Sequence, residues 1–201
     1  MTDPKVTEEP ILEATLETTE LVKQEMPDAT DEAIAETAAL FEAIKKRATA
    51  EVQAAGELTR EAYLKAVNKA SGAIEENKDL AHERFTEAVR LIKKETEKNW
   101  LVVDAIKTRA QAQVQDAGEV SREAYLKAVR QAREAVEQNK LIERDRIEQA
   151  VDHIHTEAEK NWHLIVKQIE SIGTRLTDAA KSAWNSLTAF FDKSHSDRGD
   201  S

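Results

Sequence analysis

His153, His155, Glu159 and His163 are the residues whose type and spacing come nearest to metal chemistry. His155, Glu159 and His163 fall at i, i+4 and i+8, so one helical face would present them together. Imidazole and carboxylate are zinc ligands, but a structural zinc site takes four, usually from more than one element. A bridged metal pair in a helical bundle takes paired Glu-x-x-His motifs, which this sequence lacks. An approximate copy of the segment lies 62 residues upstream, where the equivalents are Leu91, Lys93, Glu97 and Leu101. No ligand set is kept between copies, so the reading is solvated histidines on a helix and no metal. Asp79 and His82 become Leu141 and Arg144 in the second copy and are read the same way. There is no cysteine, phosphate-binding glycine loop, nucleophile elbow or zinc-protease motif. The expectation is a protein without catalytic residues or cofactors, and not an enzyme.

The aromatic residues suggest contact rather than catalysis. Trp100 and Trp162 close the two Glu-Lys-Asn-Trp blocks at 97–100 and 159–162. Each reads first as a packing anchor at the end of a copy and second as an exposed anchor for a partner. Trp184, Leu187, Phe190 and Phe191 lie on one side of a final amphipathic helix expected over 174–192, opposite a Ser/Thr-rich face. Such a helix either senses lipid-packing defects or docks back on a bundle.

These residues are positioned by an internal repeat. Arg60-Glu-Ala-Tyr-Leu-Lys-Ala-Val67 returns letter for letter at 122–129, and copies of about 39–100 and 101–162 align without insertion or deletion. From Thr30, a good N-cap, to residue 172 no proline occurs and strong helix formers dominate. The apolar residues recur at 4-4-3 spacing. They run Ile44, Val52, Tyr63, Val67, Ile74, Phe85 and Ile92 in the first copy. The second has Val103, Ile106, Val114, Tyr125, Val129, Val136, Ile147 and Ile154, and Ile165 follows. An 11-residue period is close to that of a straight helix. The stripe keeps phase through Gly56 and Gly118, so one continuous helix is the expectation. The alternative there is a C-cap glycine followed by a new N-cap at Thr59 or Ser121. Asn77 and Asn139, on the stripe, would set register between helices. A single helix over 30–172 would be on the order of 210 Å long. It would have to pair with another chain, fold back, or lie on an apolar surface.

The ends differ from the middle. Ten acids against Lys5 and Lys23 in the first 32 residues carry −8 of the chain's net −10. Residues 1–29 read as an acidic, mostly disordered segment with a short helix at 11–26, and 193–201 as a disordered tail. The absence of a basic cluster argues against nucleic acid as a partner. No apolar run is long enough to span a membrane, and no signal peptide is legible. A cytoplasmic protein, at most peripheral to a membrane, is expected.

Over residues 33 to about 170, the 11-residue period and alanine-rich stripe resemble late-embryogenesis-abundant proteins, apolipoproteins and lipid-droplet coat helices. That resemblance implies a lipid-surface or stress-protectant role. The aromatic, Ile and Val residues depart from such monotony and favour a defined assembly. The fold expected is all-α: an elongated coiled coil or helical bundle of two 62-residue repeats. The function expected is a non-enzymatic scaffold, with a homo-oligomer or another protein as partner and a membrane surface as the alternative.

Overall fold

The structure, a computed structural model, describes residues 15–56, 59–75, 82–172 and 175–196. These form eight α-helices and, among the described residues, no strand. They are α1 (Leu16–Glu25), α2 (Asp31–Ala55), α3 (Arg60–Glu75), α4 (His82–Ala117), α5 (Arg122–Gln138), α6 (Arg144–Lys160), α7 (Trp162–Ile172) and α8 (Leu176–Ser196). The expectations that fall on residues 1–14, Asn77, Asp79, Gly173 and Thr174 lie outside the described residues.

The helix starts follow side-chain chemistry. Thr15 and Thr30 accept from the amides of Thr18 and Ala33 at 3.2 Å each, satisfying donors that a first turn leaves open. Asp31 and Glu32 occupy the first turn of α2, where the dipole favours anions. Met26 ends α1 ahead of Pro27.

The continuous helix expected through Gly56 and Gly118 is not formed. Both glycines are left-handed, with φ of 69° and 68°. The Gly56 N–H turns back to the carbonyls of Val52 and Gln53, and the Gly118 N–H to that of Gln115. Three residues later a hydroxyl restarts the helix. Thr59 accepts from the Ala62 amide and Ser121 from the Ala124 amide, both at 3.1 Å. The 11-residue rows therefore do not trace one face: Ala55 and Thr59, which continue the count, are exposed. The longest helix is α4, at 36 residues or about 54 Å. Asn139, expected within a seam, instead caps the C-terminal end of α5. The turn there continues through Lys140, whose φ is 53°. The expected tail at 193–201 is helical as far as Ser196.

Two compact units result, dividing between Glu95 and Thr96 within α4. The first holds α1, α2, α3 and the start of α4 around Ile34, Phe41, Ile44, Val67, Phe85 and Ile92. The second holds the rest of α4 with α5 to α8 around Val103, Ile106, Tyr125, Val129, Ile147 and Ile165. Of the sixteen stripe residues only Tyr63 and Ile74 are less than fully buried.

Within each unit a helix hairpin is stapled at the same place. Lys69 Nζ on α3 donates to Glu51 on α2 at 2.7 Å. Sixty-two positions on, Gln131 on α5 accepts from Gln113 on α4 at 2.6 Å. The equivalent arginines differ in partner position: Arg84 pairs with Glu36, whose counterpart is Lys98, while Arg146 donates to Asn99.

Glycine substitutions distinguish a turn from a through-going helix. Among the described residues nothing lies within 4 Å of a Cβ built at Gly56, Gly72 or Gly118, so only the backbone decides. Gly56→Ala and Gly118→Ala are expected to destabilise by about 1–2 kcal/mol each, because left-handed backbone is costly with a Cβ. Gly72→Ala, inside α3, is expected to stabilise by about 1 kcal/mol. Denaturant melts of the three variants check the signs. Stabilisation by Gly118→Ala would restore the continuous helix.

Candidate functional site

The histidines do not converge. α6 ends at Lys160, and Asn161, with φ −127° and ψ 31°, breaks the chain from α7. His163 is thereby on a different helix from His155 and Glu159, and the i, i+4, i+8 face does not exist. His153 packs edge-on against Trp100, with ring centroids 4.8 Å apart. Among the described residues no group of three or more His, Asp or Glu side chains is placed to hold a metal.

The expected contact residues fall into two sets. Leu187 and Phe191 are buried in the second unit's core. Trp100, Trp162, Trp184 and Phe190 are half-buried against the same core. The Trp162 ring lies 5.7 Å from that of Tyr125. The apolar side of α8 is thus turned into its own unit.

The polar residues that tie the second unit together are not singled out by the sequence. Lys107 on α4 donates to Glu157 on α6 at 2.6 Å, with side chains only 15% and 10% exposed. Gln111 donates to Gln168 on α7 at 3.0 Å, and Gln115 to the Ile169 carbonyl at 3.3 Å. Beside them the Tyr125 hydroxyl is buried without a hydrogen-bond partner among the described residues. Burial first, and the Glu157 charge second, hold this phenol well above the usual tyrosine range. Its counterpart Tyr63 is also pushed up by burial, but a hydrogen bond with Thr49 moderates the effect. The residue equivalent to Thr49 is Gln111, whose amide is engaged with Gln168. Lys107 and Glu157 correspond to Lys45 and Glu95, so identity between copies was the available signal. Gln111 differs from its counterpart and gave none.

One surface feature combines charge with an aromatic ring. α4 and α8 border an open groove of about 390 Å³, lined by Arg109, Ala112, Thr177, Ala180, Lys181, Trp184 and Asn185. The Arg109 guanidinium carbon lies 5.4 Å from the centroid of the Trp184 ring, a cation–π geometry. Its amphipathic lining can hold an anionic, partly apolar segment. A second depression, along α7 at Leu164, Lys167, Gln168, Glu170 and Ser171, is more open still.

Comparisons with protein-family models, curated proteins and solved structures find no match.

The buried polar cluster yields two expectations. Tyr125→Phe is expected to leave stability unchanged or raise it near pH 7, since the hydroxyl lacks a partner among the described residues. The folded-state value of Tyr125 lies above the unfolded value of about 10. Its contribution is therefore complete below about pH 10 and is lost as pH rises beyond it. Melts from pH 8 to 11 are expected to show a smaller alkaline loss in the variant. Glu157→Ala is expected to destabilise by about 3–5 kcal/mol by leaving Lys107 buried alone, and Lys107→Met with Glu157→Leu to recover most of that loss. Equal losses in the single and double variants would show that the pair is not the cause.

Proposed function

We propose that the protein is a non-enzymatic helical scaffold of two related bundles, docking partners on its outer faces. The observation that carries this reading is the burial of the stripe within each unit, where Ile44, Val67 and Ile92, and then Ile106, Val129 and Ile154, are all sequestered. A stripe covered this way needs neither a second chain nor a lipid surface. The equivalent staples, Glu51 with Lys69 and Gln113 with Gln131, support reading the two halves as repeats of one helical unit. The described depressions are open helix surfaces, which suit peptides better than reactions needing a dry pocket.

The test is thermal melting followed by circular dichroism. A scaffold with packed cores is expected to melt cooperatively, and Ile92→Asp to remove several kcal/mol by burying a carboxylate without a partner. A gradual melt would instead indicate the protectant behaviour of helices without tertiary burial. An unchanged melt in Ile92→Asp would remove the packed-core premise.

The membrane reading makes a separate demand. No helix of the described residues is long and apolar enough to cross a membrane. Surface insertion of α8 through Phe191 would draw Leu176, Leu187 and Phe191 out of the core. Liposomes are therefore expected to cause no blue shift in tryptophan emission and no co-flotation; either response would favour the membrane reading.

A further inference from the structure

Arg109 and Lys181 face the α4–α8 groove together, and no carboxylate of the described residues lines it. Lys181 is exposed, and Arg109 lies over the Trp184 face. Asp178, one turn before Lys181, is exposed and outside the lining. This is a cationic, aromatic groove on a chain of net charge −10. The complementary charge stands at the chain's own beginning. Residues 1–14 carry Asp3, Glu8, Glu9 and Glu13 against Lys5, with Ile11 and Leu12 among them.

We infer that this acidic segment of one molecule docks in the α4–α8 groove of a second copy. Its carboxylates meet Arg109 and Lys181, and Ile11 or Leu12 covers the Trp184 ring. The chemistry is compatible with the contact already present, because a guanidinium stacked on an aromatic face keeps its edge donors for a carboxylate. Pro4 and Pro10 disfavour helix interior, so binding there competes little with helix formation. Such a head-to-tail contact closes into a reciprocal pair or continues as a chain.

The inference rests on the scaffold reading but is tested apart from it, with full-length protein and light scattering over a range of concentration and salt. Wild type is expected to associate at low salt and to dissociate as salt screens the contact. Arg109→Glu with Lys181→Glu, and separately Glu8→Lys with Glu9→Lys, are each expected to weaken association by about tenfold or more. Mixing the two variants restores opposite charges and is expected to restore association. Lys181→Glu alone, which leaves the Arg109–Trp184 contact in place, guards against loss of the fold and is expected to weaken association in the same direction. Wild type that stays monomeric throughout, or charge variants that associate as well as wild type, would overturn the inference. A monomer with a cooperative melt removes only this docking contact; a gradual melt removes the scaffold reading beneath it.

Discussion

An apolar stripe on a helix in water has to be covered, and the backbone at Gly56 and Gly118 decides what covers it. A left-handed residue ends each helix, a hydroxyl three positions later starts the next, and the chain turns back on itself. Ile44 and Val67, or Ile106 and Val129, then share a core within one unit. Without those turns the same residues would require another chain or a surface. The burial of the stripe, the pairing of Lys107 with Glu157 and the inward side of α8 all depend on this folding back.

Helix content and the N-cap at Thr30 were legible because each has a local cause, whereas Ser121 entered only as the alternative to a continuous helix. Apolar spacing selects the buried face, and a short hydroxyl side chain selects the start. The unbroken phase of the stripe at the glycines misleads for a physical reason. The count carries on through residues that are not helical, and Ala55 and Thr59, which continue it, are exposed at the turn. The break at Asn161 had no local signal, since Glu-Lys-Asn-Trp lies inside α4 at 97–100 and across the α6–α7 break at 159–162. Surroundings, not the tetrapeptide, decide between these states.

The polar side chains were harder to read than the apolar ones. Lys107 and Glu157 are ordinary helix-surface types and become a buried pair only through packing. Arg109 and Trp184 are 75 positions apart, and no periodicity relates them. The i, i+4, i+8 spacing of His155, Glu159 and His163 presupposed one helix, and α6 ends before His163. A pattern on one helix is only as sound as that helix's continuity.

The staples bear on how two similar hairpins assemble from one chain. α3 and α5 begin with the same eight residues, so each can compete for the other's partner helix during folding. Such exchange is a characteristic error of repeated sequences. Here the wrong pairing sets Glu51 against Gln131 and Gln113 against Lys69, an ion facing an amide in both cases. Each exposed pair has a small energetic effect. The mismatch nevertheless falls twice in a swapped assembly and never in the correct one.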